Sequence, residues 1–216
     1  MAIGANMLSL AASGQSQSIE GQVRITASEL MSAFKLPPIL QDISKQAPSL
    51  EINVIADNGV RDLLRREADI AIRHVRPDQP NLLMRRVRDE VMGFYASTTY
   101  LQNRGQPTKA DVSSHQIISF VDEDRMLDYL LPIGLDLARA NFRLSSSSQL
   151  VALEMARRGL GIIIAPDWIA QGSTDFVHVL DEVEPFSIPT WLVTHSEMKT
   201  SRRIRLVFDH LIDKLS

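Results

Sequence analysis

The fold is most clearly predicted by residues 22–56, QVRITASELMSAFKLPPILQDISKQAPSLEINVIA. The first six residues, QVRITA, alternate apolar and polar side chains, which is the spacing of a β-strand. Ser28 follows as a helix N-cap with Glu29 in the first turn, and an apolar stripe extends that helix to about Gln46. The last six residues, EINVIA, predict a second strand. Strand, helix and strand in this order indicate a parallel sheet covered by helices.

The same alternation continues outward along the chain. A short helix ending near Glu67 and a strand at 69–73, DIAIR, complete a first unit, and 82–97 is predicted to be extended, with a strand at 91–97. A second unit begins near Thr98. Its predicted elements are strands at 117–121, 143–145, 160–165 and 191–195, and a helix between the serine run 145–148 and Gly159. Apolar residues at helical spacing from 204 to 215 predict a closing amphipathic helix.

Composition narrows the classes of function. The 216 residues are 44% hydrophobic and 23% charged, as in ordinary globular proteins. The formal net charge of −3 argues against a protein that mainly coats nucleic acid or binds membranes through a basic surface. Because there is no cysteine, a disulfide framework, a zinc–cysteine site and a thiol nucleophile are excluded. Without a membrane-length apolar stretch or the charged start of a signal peptide, we expect a cytoplasmic protein that does not contact membranes.

The sequence contains no recognisable motif for catalysis. The sequence has no G-x-S-x-G elbow, phosphate-binding loop or H-E-x-x-H helix, and its five histidines lack metal-ligand spacing. We therefore expect no metal, no cofactor and no enzymatic activity. One basic cluster is interleaved with acidic residues and is expected to be a solvated face rather than a nucleic-acid patch. Its members are Arg61, Arg65, Arg66, Arg73, Arg76, Arg85, Arg86 and Arg88.

Several stretches together resemble the effector-binding domain of LysR-type transcriptional regulators. GQVRITAS (21–28) and KLPPILQDISKQAPSLEINV (35–54) resemble its opening, and READIAIR (66–73) resembles its third strand. RRVRDEVMGFYASTTYL (85–101) is similar to its crossing strand and the start of its second lobe. SSSSQLVALEMARRGLGIIIAPDWI (145–169) is similar to a helix and a proline-ended strand of that lobe.

The resemblance implies an α/β fold of two Rossmann-like lobes joined by two crossing strands, like type II periplasmic binding proteins. Lobe I would comprise 21–94 and 195–216, lobe II would comprise 95–194, and 1–20 would be the tail of a linker helix. The family's helix-turn-helix is not found in these residues. We therefore expect DNA to be contacted only through a further, N-terminal domain.

The resemblance also implies a ligand site between the lobes. The implied effector-binding residues are Ser28, Met31, His74, Phe120, Ser146, Ser147 and Ser148. Each has an alternative interpretation: the serines as helix caps, Met31 and Phe120 as core residues, and His74 as a surface residue. The starts of two helices, together with His74, favour a ligand with negative charge, and a small carboxylate is the first choice.

The predicted function is therefore that of the ligand-sensing domain of a bacterial transcriptional regulator. A small effector would shift the populations of the conformations of a homodimer or tetramer. The resemblance implies dimer contacts between helices at about 30–46 and 148–158, which carry Leu36, Leu40, Leu150 and Leu153. A solute-binding protein of a transporter is the alternative, disfavoured by the missing export signal. An enzyme on the same scaffold is disfavoured by the missing acid, base or metal cluster.

Overall fold

The computed structural model describes residues 19–59, 68–77, 81–120, 123–171, 173–196 and 200–216. The chain divides into two compact units. Unit 1 comprises Met1–Arg88 and Pro189–Ser216, and unit 2 comprises Asp89–Ile188. Both divisions fall a few residues before the predicted lobe boundaries at 94/95 and 194/195. The short helix predicted to end near Glu67 lies outside the described residues.

Nine strands and six α-helices lie within the described ranges. The strands are β1 (Gly21–Ala27), β2 (Leu50–Ala56), β3 (Ile70–Arg73), β4 (Leu82–Ser97), β5 (Ile118–Ser119), β6 (Leu144–Ser145), β7 (Ile163–Pro166), β8 (Phe176–Val179) and β9 (Phe186–His195). The helices are α1 (Leu36–Gln46), α2 (Thr98–Arg104), α3 (Glu123–Leu130), α4 (Gln149–Arg157), α5 (Asp167–Gln171) and α6 (Arg202–Leu215). Strands β4 and β9 carry the chain between the units.

Unit 1 is built on strands in the order β2-β1-β3-β9. Strand β1 pairs in parallel with β2 and β3, and β9 pairs antiparallel to β3. The strands predicted at 22–27, 51–56 and 69–73 are confirmed. Parallel pairing places the carboxyl ends of β1, β2 and β3 at one edge of the sheet, which positions the site described below.

A π-helical turn, Met31–Lys35, precedes α1. Pro37 and Pro38 stand at the first positions of α1, where their missing N–H groups and their rings disfavour regular bonding to the preceding turn. The wider π turn, closed by the Leu36 N–H bonded to the Met31 carbonyl, accommodates them. The helix predicted to end at about Gln46 is confirmed, with a change of helix type that the pattern did not predict.

Helix α6 supplies one side of the unit 1 core. Its apolar stripe is buried against the sheet and α1, as the spacing predicts. The buried positions are Ile204, Val207, Phe208, Leu211 and Leu215. These side chains come from the end of the chain and pack on β1 and β3 from its beginning, so unit 1 is assembled from two distant segments.

Unit 2 has β7 and β8 paired antiparallel with β4, and a separate parallel pair of β5 and β6. Two predicted strands prove shorter. The strand predicted at 117–121 is β5, with Ile117 in an isolated bridge to Ile162, and the strand predicted at 160–165 begins at Ile163. Gly159, with φ +78°, ends α4 as predicted, and Leu160 turns outward before β7 begins.

A buried polar network fixes the loops of unit 2. The Asn141 side chain accepts from the Ala138 N–H (2.9 Å) and donates to the carbonyls of Ser113 and His115 (2.8 Å each). The Tyr100 hydroxyl lies 3.0 Å from Nδ1 of His115 and accepts from the Gln116 N–H at 3.1 Å. Burial lowers the pKa of His115 and so favours the neutral imidazole. This histidine has a structural role, as expected for a histidine without metal-ligand spacing.

Candidate functional site

A small pocket of about 110 Å³ lies in unit 1, where the parallel strands end. Ser28 follows β1, Asp57 and Asn58 follow β2, and residues 73–77 end and follow β3. We call this the strand-end pocket; its lining residues are Ser28, Asp57, Asn58, Ile72, Arg73, His74, Val75, Arg76 and Pro77. Loops at the carboxyl ends of parallel strands are where α/β proteins bind ligands.

Ser28 occupies the helix start without using its hydroxyl as a cap. Its carbonyl accepts the Ser32 N–H at 2.8 Å, as at an N-cap position. Within the described part of the chain, its hydroxyl has no hydrogen-bond partner. Asn58 contacts the first turn instead: its Oδ1 accepts the Glu29 N–H at 3.1 Å, and its Nδ2 donates to Glu29 Oε2 at 3.2 Å. The Ser28 hydroxyl is therefore available to a ligand.

Two arginines bring positive charge to the strand-end pocket. Arg73 is only 7% exposed, with Nη2 donating to Thr26 Oγ1 (2.9 Å) and Nη1 to the Ile72 carbonyl (3.1 Å). The guanidinium of Arg76 stacks 5.5 Å from the ring centre of Trp191. Asp57 is the one carboxylate among the described lining residues, and its Oδ1 accepts the Gly59 N–H at 2.7 Å. The charge balance favours an anionic ligand.

The sequence prediction put Ser28 and His74 in a ligand site between the lobes and assigned Arg73 and Arg76 to a solvated face. That assignment is wrong for Arg73, because the end of β3 buries its side chain. His74 lines the pocket, with Nδ1 3.4 Å from Thr190 Oγ1. The position of these arginines along the chain could have assigned them to the pocket. Arg73 is the last residue of a buried strand, and Arg76 lies three residues further on.

The other predicted site residues lie elsewhere. Met31 is 1% exposed and belongs to the core of unit 1, so it is not among the lining residues. Phe120 follows β5 and packs against the core of unit 2. The structure thus brings Ser28 and His74 together in unit 1 and leaves Phe120 and the serines in unit 2.

The serine run at 145–148 forms the start of α4. Ser148 is its N-cap, accepting the Val151 N–H at 3.3 Å, so one of the predicted serines caps the helix. Ser146 Oγ accepts the Ser148 N–H at 3.1 Å. Ser147 is exposed. Capping accounts for Ser148, and a local turn accounts for Ser146.

Comparison with known proteins places this geometry in a family. The model of the LysR substrate binding domain matches residues 16–216. The chain belongs to the LysR substrate-binding domain family. The regulator CrgA from Neisseria meningitidis serogroup C is 24% identical over 211 residues, which cover 91% of this chain and 68% of CrgA.

Solved structures show the same fold. The CrgA regulatory domain from Neisseria meningitidis superimposes with a TM-score of 0.79 at 21% identity, covering 91% of this chain and all of that domain. Full-length AphB from Vibrio cholerae gives a TM-score of 0.75 at 19% identity, covering 99% of this chain and 76% of AphB. The predicted two-lobed fold, similar to type II periplasmic binding proteins, is confirmed for this LysR substrate-binding domain.

The described ranges of this LysR domain lack two kinds of feature. They contain no helix long and apolar enough to cross a membrane. Nor do they bring three or more His, Cys, Asp or Glu side chains together as metal ligands. The strand-end pocket offers hydroxyl, amide, imidazole and guanidinium groups beside the Asp57 carboxylate, and the first four can hold an anion by hydrogen bonds and charge.

Proposed function

We propose that this chain is the ligand-sensing domain of a bacterial LysR-type transcriptional regulator, and that it binds a small organic anion in the strand-end pocket. LysR-type regulators bind small-molecule effectors, oligomerise and bind DNA. The proposal rests on one observation: the Ser28 hydroxyl, at a helix start, lines the same pocket as the buried guanidinium of Arg73. Family membership favours a regulator over the solute-binding protein considered from the sequence.

Pocket size sets how much of the effector enters. A volume of about 110 Å³ corresponds to roughly four water molecules at ~30 Å³ each. Four heavy atoms make a carboxylate with one attached carbon. We therefore propose that the carboxylate end of the effector enters the pocket, where a guanidinium and a hydroxyl are the donors that a carboxylate prefers.

Arg76 connects the strand-end pocket to a crossing strand, because it lines the pocket and contacts that strand. Its guanidinium stacks on Trp191, which belongs to β9, the strand that connects unit 2 to unit 1. A carboxylate in the pocket competes with the Trp191 ring for this cation. Binding thereby changes a contact on β9, and an effector that favours one arrangement of that contact shifts its population.

The direct test is titration calorimetry with benzoate and with benzamide, its neutral counterpart of similar shape. Benzoate is expected to bind and benzamide to bind at least tenfold more weakly, because only benzoate carries the charge that Arg73 and Arg76 attract. Equal affinities, or no binding of benzoate, acetate or succinate, would refute the proposed anion pocket.

The Ser28→Ala variant tests the hydroxyl. Loss of a hydrogen bond to a charged group costs about 1.5–3 kcal/mol, so the Kd for benzoate should rise roughly ten- to hundredfold. Folding stability should change little, because Asn58 rather than Ser28 bonds the first turn of the helix. Calorimetry and urea unfolding of the same variant measure both quantities.

Ser44→Ala is the matched control for that variant. Ser44 lies in α1, bonds only the Leu40 carbonyl among the described residues, and is outside the pocket. The Ser44→Ala substitution should leave the Kd for benzoate unchanged. Ser147→Ala, in the same assay, tests the contact that the family resemblance assigns to unit 2. If Ser28→Ala binds benzoate as tightly as the parent chain, the assignment of Ser28 is wrong.

The proposed dimer uses apolar residues that the structure leaves exposed. Leu36 and Leu153 are buried in the cores of their own units, so they are unavailable for the contacts considered from the sequence. Phe34 beside α1 and Leu150 and Val151 on α4 are at least one-third exposed. These three side chains replace the buried leucines in the proposed interface, and Leu40 is half-buried against the core of unit 1.

Leu150→Glu is expected to convert the dimer into a 24.1 kDa monomer at tens of micromolar, because a charge would be buried at the interface. Sedimentation equilibrium measures the mass. Leu131→Glu is the control, since Leu131 is an exposed leucine outside α4 and its variant should remain dimeric. A parent chain that stays monomeric, or a dimeric Leu150→Glu variant, contradicts the proposed interface.

A further inference from the structure

A second and larger pocket lies in unit 1 and belongs to no site described above. Its volume is about 840 Å³, and it is bounded by the start of β4, the end of β9 and one side of α6. We call it the α6 pocket. Its lining residues are Leu83, Met84, Arg85, Thr194, Thr200, Arg202, Arg205, Phe208, Asp209 and Ile212. None of them lines the strand-end pocket.

The walls of the α6 pocket are apolar. Leu83 comes from β4, and Phe208 and Ile212 come from successive turns of α6. Leu83 is 41% exposed, so a large apolar side chain stands open to solvent at the pocket. A ligand that covered it would gain about 25 cal/mol for each Å² of apolar surface removed from water.

Charge in the α6 pocket is strongly one-sided. Three guanidinium groups, from Arg85, Arg202 and Arg205, face one carboxylate, Asp209, among the described lining residues. Arg205 Nε lies 3.6 Å from Asp209 Oδ2, and both side chains are mostly exposed, so this pair is weak. The guanidinium of Arg85 therefore stands beside an apolar wall.

The arginines of α6 are placed unfavourably for the helix itself. Arg202 and Arg205 stand in its first turn, which contains no acidic residue. The start of a helix carries partial positive charge and is destabilised by nearby cations. A bound anion would offset this repulsion, so occupation of the pocket should also stabilise the fold.

We propose that the α6 pocket binds an amphipathic carboxylate, with the carboxylate at Arg85 and the apolar body against Leu83, Phe208 and Ile212. Guanidinium groups bind carboxylates through paired hydrogen bonds. A volume of about 840 Å³ lies within the usual range of sites for drug-sized molecules. This pocket is far larger than the strand-end pocket, so it takes the whole ligand rather than an end group.

The test is titration calorimetry of the chain with octanoate and with octanamide, its neutral counterpart. Octanoate is expected to bind and to raise the thermal unfolding midpoint, and octanamide to bind at least tenfold more weakly. Arg85→Gln should raise the Kd for octanoate about tenfold, through loss of a charge-assisted contact. Leu83→Asp should abolish measurable binding, because it places a like charge on the wall at an exposed position that tolerates substitution.

Arg88→Gln provides the matched control. Arg88 lies on the same strand and loses the same charge, but it alternates to the opposite face from Arg85 and is not a lining residue. Its affinity for octanoate should equal that of the parent chain. Absence of octanoate binding overturns the proposal, as does an equal loss in the Arg85 and Arg88 variants. So does a loss in Ser28→Ala that Arg85→Gln does not share, which would place octanoate in the strand-end pocket.

Discussion

Asn141→Ala is expected to lower the free energy of unfolding by about 3 kcal/mol. The substitution removes three hydrogen bonds at a residue only 3% exposed, and it leaves the Ala138 N–H and the carbonyls of Ser113 and His115 without their partner. Each unsatisfied buried group costs about 1–3 kcal/mol, and partial hydration of the loops keeps the total near the lower bound. Urea unfolding followed by circular dichroism measures the loss.

Asn103→Ala is the control for that measurement. Asn103 lies in α2, is exposed, and makes no side-chain hydrogen bond within the described ranges. Its variant should unfold within about 0.5 kcal/mol of the parent chain. Asn141→Asp retains the acceptor for Ala138 but cannot donate, so it should be destabilised as well. A parent-like unfolding midpoint for Asn141→Ala would show that the three bonds do not hold these loops.

Arg73→Met is expected to weaken benzoate binding about a hundredfold. The guanidinium is held by Thr26 and the Ile72 carbonyl at the edge of the strand-end pocket, so an entering carboxylate meets a cation that is already oriented and largely desolvated. Loss of such a partner costs about 3 kcal/mol, or roughly two factors of ten in Kd. Calorimetry on the variant and the parent gives the ratio.

The same substitution acts on folding in two opposing ways. Burying a guanidinium costs desolvation free energy that a methionine of similar length removes, but the change also leaves the fully buried Thr26 hydroxyl without its donor. We expect the free energy of unfolding without ligand to fall by about 1–2 kcal/mol, because an unsatisfied buried group costs about 1–3 kcal/mol. Arg88→Met, on an exposed strand position, should leave both quantities unchanged. An Arg73→Met chain with parent-like benzoate affinity would remove Arg73 from the proposed site.

Much of the fold was predictable because its strands and helices obey simple periodicities. The alternation in 22–27 and the helical spacing in 204–215 each correspond to an observed element. The prediction was wrong where a run of apolar residues begins before its strand, as at Leu160, because apolarity alone does not show where a turn ends. It also missed the π turn before α1, which arises from the two prolines acting on the preceding turn.

The candidate site was less predictable than the fold. Ser28 and His74 line the strand-end pocket because each follows a strand, and the carboxyl ends of parallel strands share one edge. Arg73 was missed because a charged residue in a sequence full of acids and bases is ordinarily exposed, and only the three-dimensional packing shows that β3 ends with its side chain buried. Met31 was included because it lies one turn from Ser28, but that turn directs it into the core.

The discontinuity of unit 1 has a consequence for the order of folding during synthesis. Unit 2 is one continuous segment, Asp89–Ile188, whereas unit 1 needs Pro189–Ser216 to complete its core. The N-terminus of a growing chain leaves the ribosome first. All residues of unit 2 are therefore available before α6 is made, whereas β1, β2 and β3 have not yet received the helix that covers them. The apolar face that α6 will cover therefore stays uncovered until α6 emerges, and during this interval that face is open to aggregation and to capture by chaperones.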